Sequence, residues 1–158
     1  MSIERVKQYL VDRGFGDRVR EFDVSSATVE LAAQAVGCEG ARIAKTLSFV
    51  DGDACVLVVT AGDMRVDNAK FKAQFGFKAK MLTPDQAIER TGHAVGGVCP
   101  FALNDGVRVF LDRSMQRFDE IYPAAGNAAS AVALTPTELQ SLTNGIWADL
   151  CKDWETQK

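Results

Sequence analysis

Two β-rich runs, residues 44–50 and 54–60, flank the triplet Asp51-Gly52-Asp53, and no other feature of this 158-residue chain restricts its fold as strongly. An aspartate–glycine pair between such runs favours a tight hairpin, because glycine accepts the positive φ that the turn requires. The two strands are therefore expected at the centre of a sheet. Around them the pattern alternates irregularly. Residues 2–13 carry Ile3, Val6, Tyr9 and Leu10 near helical spacing before Gly14, which reads as an amphipathic first helix. A short extended piece follows at 19–24. Thr28 can cap a second helix that Gly37 stops, residues 67–75 return to helical spacing before Gly76, and Thr83-Pro84 opens a helix running to Thr91 and Gly92. Residues 78–82, 107–111, 120–122 and 129–134 are further strand candidates, and Thr135-Pro136 starts a last short helix. With no linker or repeat in view, the expectation is a single domain over 1–158 of the α+β class. Its core would be a mixed, largely antiparallel sheet or barrel flanked by helices, not a doubly wound α/β fold.

Hydrophobic residues make up 47% and charged residues 25% of the chain, a balance that excludes disordered and fibrous classes. The N-terminus MSIERVKQYL is too charged for a signal peptide, and no run approaches the roughly 20 apolar residues of a membrane helix. A cytoplasmic location without membrane contact is expected. Cys38, Cys55, Cys99 and Cys151 lie far apart, and His93 is the only histidine. No zinc site, other metal site or cofactor is expected from so few, so scattered ligands. A net charge of −3 argues against DNA binding or any other grip on nucleic acid by bulk charge.

Two stretches carry candidate chemistry. Lys45 stands alone in the apolar run Ile43-Ala44-Lys45-Thr46-Leu47-Ser48-Phe49. It either lies on the solvent face of an alternating strand, with Ala44, Thr46 and Ser48 opposite, or points into a pocket as a cation for a phosphate or carboxylate-like group. The segment Gly96-Gly97-Val98-Cys99-Pro100-Phe101 is rich in backbone and poor in polar side chains. It is either a plain turn or a cradle in which glycine lets the main chain approach a ligand.

The order of these motifs, I-A-K-T-L-x-F, a hairpin, and G-x-x-x-P-F about fifty residues later, resembles the YbaK/EbsC family of aminoacyl-tRNA deacylases. That family is related to the editing domain inserted in bacterial prolyl-tRNA synthetases. The likeness runs over about residues 28–142 and includes Asp63-Met64-Arg65-Val66-Asp67-Asn68-Ala69-Lys70 and Ile121-Tyr122-Pro123-Ala124-Ala125-Gly126. It implies a free-standing trans-editing hydrolase that clears a small amino acid, such as alanine or cysteine, from mischarged tRNA, tRNA(Pro) above all. Lys45 matches the lysine on which the family's activity depends. Gly96 and Gly97 match the loop lining the aminoacyl pocket, where their N–H groups are expected to hold a developing oxyanion. Thr28, Thr46, Val98, Cys99, Pro100, Ala124 and Gly126 fall at expected substrate-binding positions. In the family small residues such as serine occupy the position before the proline, so the resemblance makes Cys99 pocket wall; His93, the only histidine, reads as a loop or surface residue, or else as a substrate contact. Ala124 replaces a serine found in the branch that clears cysteine, which weakens a cysteine-specific assignment.

Partners implied are the aminoacyl-tRNA acceptor end and prolyl-tRNA synthetase, with oligomeric state left open. Arg65, Lys70 and Lys72 are the expected tRNA contacts, with Lys78 and Lys80 nearby. Phe71, Phe75 and Phe77 interleave them either as stacking platforms for bases or as core. A non-catalytic RNA-end or nucleotide-binding module and a thiol hydrolase built on Cys99 are the competing readings.

Overall fold

The computed structural model describes residues 2–94 and 96–152. Val95, inside the glycine-rich loop, and both ends of the expected 1–158 domain lie outside the described residues. The hairpin forms as the sequence requires: Ile43–Asp51 (β2) and Ala54–Ala61 (β3) pair antiparallel from Ala44–Ala61 to Asp51–Ala54. Gly52 takes φ +58° at the first turn position, which type II′ hairpins reserve for glycine. β3 is central because it is apolar on both faces, with Cys55, Val56, Leu57, Val58 and Val59 all fully buried. Arg108–Asp112 (β4) and Ile146–Ala148 (β7) extend the sheet beyond β3, and Tyr122–Pro123 (β5) joins β2, giving the order β5-β2-β3-β4-β7. Val19–Glu21 (β1) and Ser130–Val132 (β6) form a second, two-stranded antiparallel sheet. An Ile121–Leu134 bridge ties it to the β5 side.

The α+β class and mixed sheet agree with the sequence expectation, and the longest ladder, between β2 and β3, is antiparallel. Three of the four pairings in the larger sheet are parallel. The reason lies in the connections: Asn68–Phe75 (α3) and Pro84–Thr91 (α4) cross between β3 and β4, and such crossovers deliver parallel strands. Residues 78–82 do not form the expected strand. Only Met81 bridges Phe49, with Val50 N–H donating to Lys80 and Leu82 N–H to Ser48, because the Thr83-Pro84 cap turns the chain into α4. β7 was not expected, since three residues are too few to show alternation.

Ser2–Asp12 (α1), Val29–Val36 (α2) and Pro136–Thr143 (α5) complete the helices. Thr28, Thr83 and Thr135 each cap a helix through the side-chain oxygen, the latter two in capping boxes with Gln86 and Glu138. The core splits across the sheet. On one face Ala44, Leu57, Val59 and Ala61 pack with Ile3, Val6 and Leu10 of α1 and Leu139 of α5. On the other, Phe49, Val56 and Val58 pack with Phe71, Phe110 and Leu150.

A candidate active site at a gap in the β2 edge

Pairing alternates along a strand, so each β2 residue offers its backbone groups to only one side. The hairpin closes on Asp51 and Ala54, which directs the odd-numbered β2 residues toward β3 and the even-numbered ones to the outer edge. At that edge Ala44 meets β5 at Pro123, and the Ser48 carbonyl accepts from Leu82 N–H at 3.1 Å. Between them Thr46 has no partner on the outer edge among the described residues. The gap is one residue wide.

A cavity of about 340 Å³ opens at this gap, within the range of small-molecule sites. Side chains alternate with the pleat. Thr46 and Ser48 therefore share the face of their cross-strand partners Val59 and Leu57, whereas Lys45 and Leu47 share that of Thr60 and Val58. Thr28, Val29 and Ala32 of the α2 region, together with Gly96, Val98 and Ala124, add further wall.

Lys45 lines the cavity half-buried and donates its Nζ–H to the Met64 carbonyl. Burial lowers its pKa, and Asp63 and Glu30 offset this only in part. The hydroxyl of Thr46 is buried without a hydrogen-bond partner among the described residues, a state that costs about 1–3 kcal/mol unless something fills it. Thr28 lines the wall, but its Oγ1 is engaged, accepting from Leu31 N–H at 3.1 Å.

The two glycines differ. Gly96 lines the cavity at φ +91°, with Ala128 Cβ 3.4 Å from where its own Cβ would stand. Gly97 does not line it. Its N–H donates to the Ala94 carbonyl at 2.9 Å, so the expected oxyanion role of that N–H is corrected. Gly97 instead lets two loops touch: an added Cβ would lie 2.7 Å from Asn127 Cα and 2.8 Å from the Gly126 carbonyl oxygen.

Cys99, Pro100 and Gly126 are buried behind the cavity wall and do not line it, contrary to their expected substrate-binding positions. Gly126 lies against α1, where a Cβ would meet the Ser2 carbonyl oxygen and Val6 Cγ2, each at 2.9 Å. Cys99 is fully buried, and desolvation pushes its thiol up to about 12. That opposes the thiolate a nucleophile needs. His93 is not a surface residue but 1% exposed. It bonds the Ser2 hydroxyl through Nδ1 and the Phe101 carbonyl through Nε2, the latter at 2.7 Å, and burial lowers its pKa.

None of Arg65, Lys70 and Lys72 lines the cavity. Lys70 is structural: it pairs with Asp149 at 3.0 Å and donates to the Cys151 carbonyl at 2.8 Å. Arg65, Lys72, Lys78 and Lys80 are exposed, and Lys72 and Lys78 share one surface notch with Asn68. The phenylalanines are core, with Phe71 fully buried and 4.5 Å from Phe75 between ring centroids.

Sequence reasoning missed Ser26, Ser48, Leu82, Tyr122, Ser130 and Ala131, all of which line the cavity. Ser48 shares Thr46's strand face and was legible by alternation. Ser26 and Ser130 meet only through tertiary structure, where Ser130 N–H donates to Ser26 Oγ at 3.1 Å, and no local pattern marks them.

The model of the family described as "Aminoacyl-tRNA editing domain" matches residues 24–142. YwhH of Bacillus subtilis is 47% identical over 157 residues, spanning 98% of this chain and all of that one. EbsC of Enterococcus faecalis, named as a candidate Cys-tRNA(Pro)/Cys-tRNA(Cys) deacylase, is 30% identical over 78% of this chain and 76% of its own. A crystal structure described as a candidate trans-editing enzyme for prolyl-tRNA synthetase superposes with a TM-score of 0.88 at 36% identity, covering 96% of this chain and 98% of the other. The chain belongs to the aminoacyl-tRNA editing domain family.

Proposed function

We propose that this editing-family protein is a free-standing trans-editing hydrolase that removes a small amino acid, alanine first among the substrates considered, from mischarged tRNA(Pro). The reading is carried by one observation: a half-buried lysine beside a one-residue gap in a strand edge, both opening on one small cavity. An aminoacyl ester is already activated, so its hydrolysis asks mainly for positioning, a water and stabilisation of the developing oxyanion. Water adds to the ester carbonyl, the ribose oxygen leaves with a proton, and free amino acid and uncharged tRNA result.

Lys45 would serve as a point charge for the terminal nucleotide of the tRNA. Its partly desolvated amine and its hydrogen bond to a backbone carbonyl support that role, since among the described residues no carboxylate neutralises it at contact distance. Thr28, Thr46, Gly96, Val98 and Ala124 would form the walls around the aminoacyl end, with the small Ala124 and Ala131 limiting the amino acid's size. Arg65 and Lys72, joined by Lys78 and Lys80, would meet phosphates of the acceptor end. Action beside prolyl-tRNA synthetase in the cytoplasm fits this reading, and among the described residues no helix is long and apolar enough to cross a membrane.

The test is a panel of tRNAs charged with alanine, cysteine, serine and proline, incubated with the purified protein. Rapid deacylation of at least one small aminoacyl-tRNA and sparing of prolyl-tRNA(Pro) is the expected outcome. No acceleration over buffer on any member refutes the reading.

A further inference from the structure

The gap at Thr46 spans a single outward-facing position of β2. Of the even-numbered positions at the outer edge, Ala44 is covered by β5 and Ser48 by the segment around Leu82. By the hairpin register the Thr46 N–H and C=O lie on this same outer edge, and Thr46 lines the cavity between them. Resting on the deacylase reading, we infer that the aminoacyl group docks on β2 as one residue of antiparallel strand opposite Thr46.

The chemistry matches group for group. In a hydrogen-bonded antiparallel pair the two residues exchange both N–H···O bonds, with Cα atoms about 5.5 Å apart. An aminoacyl ester carries the same donor and acceptor on either side of its Cα. Its α-ammonium donates to the Thr46 carbonyl in a charge-assisted bond, and the Thr46 N–H donates to the ester carbonyl oxygen. When water adds to that carbonyl, the negative charge develops on the oxygen that Thr46 N–H already contacts, so the strand edge supplies the oxyanion donor that Gly97 cannot. Proton and leaving-group balance are those of the hydrolysis itself.

Stereochemistry follows from the same pairing. Residues directly opposite in a sheet place their side chains on one face. For an L-aminoacyl group this is the Thr46 face, which Ser48, Val59 and Leu57 share, and the cavity's lining includes the small residues Ser26, Ser130 and Ala131. A D-aminoacyl group that kept both backbone bonds would turn its side chain to the opposite face, where Leu47 and Lys45 stand. The pairing thus recognises any small L-α-amino acid through its backbone and leaves size selection to the compartment beyond.

Two measurements decide it. With the wild-type protein, single-turnover deacylation of L-alanyl-tRNA(Pro) should exceed that of D-alanyl-tRNA(Pro) by roughly a hundredfold or more, the scale of losing one oxyanion donor. Second, Thr46→Pro removes the N–H at an edge position where no ladder bond is broken, and a variant with the threonine amide replaced by an ester linkage removes it without the ring. Each should lower the rate on L-alanyl-tRNA(Pro) by about 100–1000-fold, with circular dichroism confirming the fold. Equal rates on the two enantiomers, or a folded variant at wild-type rate, overturn the docking while leaving the deacylase reading intact. If Thr46→Pro does not fold, the enantiomer comparison decides alone. A wild-type protein inactive on the whole aminoacyl panel would instead remove the deacylase reading and this inference together.

Discussion

Gly97 and Gly96 are adjacent, yet adding one methyl group to each should have different consequences. At Gly97 the new Cβ would lie 2.7 Å from Asn127 Cα, 2.8 Å from the Gly126 carbonyl oxygen and 2.9 Å from Asn127 N. All three are backbone atoms of the loop that α1 presses from behind, so none can swing aside as a side-chain end could. Relief requires moving one loop away from the other, and overpacking of this kind costs about 1–3 kcal/mol. For a protein of this length that corresponds to a fall in Tm of roughly 3–10 °C. At Gly96 the added Cβ would stand 3.4 Å from Ala128 Cβ and 3.7 Å from Ala27 Cβ, which is ordinary contact, and the cost is the φ of +91°, about 1–2 kcal/mol for an L-residue. Gly96→Ala should therefore lose the smaller part of its stability while its methyl projects beside the cavity, lowering turnover more than Tm. Gly97→Ala should lose stability first. Thermal unfolding followed by circular dichroism, paired with single-turnover deacylation, separates the two. A Gly97→Ala protein melting within about 1 °C of wild type would show that the two loops do not touch in the way described.

Lys45→Met keeps the apolar stem and deletes a charge that burial disfavours. It should abolish deacylation yet leave Tm unchanged or raised at neutral pH, as denaturation curves would show. Because burial lowers the folded-state pKa of Lys45 below its ordinary 10.5, the unfolded chain binds more protons between those two values, and wild-type stability should rise relative to Lys45→Met as pH climbs through that window. Activity that needs the cation should fall over the same interval. Cys99→Ala should retain single-turnover activity within a few-fold and cost about 1–2 kcal/mol in stability. In the native wild type, iodoacetamide should label half-exposed Cys38 before buried Cys99. Replacing Arg65, Lys72, Lys78 and Lys80 with glutamine should flatten the salt dependence of tRNA binding by roughly 0.7–0.9 in slope for each phosphate left without its cation. Lys70→Met should lower Tm and leave that slope as it was, reflecting its pairing with Asp149 and the Cys151 carbonyl.

Local signals specified the parts of the fold that are local. The Asp51-Gly52-Asp53 turn, the threonine caps and the closing glycines at 37, 76 and 92 all mark real element ends. Strand direction was not legible, because it depends on where a crossover lands and not on the residues of the strand. β7 and the interrupted pairing of residues 80–82 follow from neighbours far along the chain. The site divides in the same way. Lys45 and Thr46 stand out in sequence as polar residues in an apolar run, but only the register reveals that the edge beside them is open. The glycine loop was recognisable, whereas the division of labour between Gly96 and Gly97 depends on the 126–127 backbone behind it. His93 looked like a loop residue because its partners, Ser2 and Phe101, come together only in the folded chain.

Under the proposed function, hydrolysis of an aminoacyl ester takes place at the β2 gap and needs Lys45. The most direct measurement is single-turnover deacylation of L-alanyl-tRNA(Pro) by wild type and Lys45→Met side by side, at matched folded concentration. Rapid loss of the aminoacyl group is expected with wild type, and a rate indistinguishable from buffer with the variant. Equal acceleration by both proteins, or none by wild type across the aminoacyl panel, would contradict it.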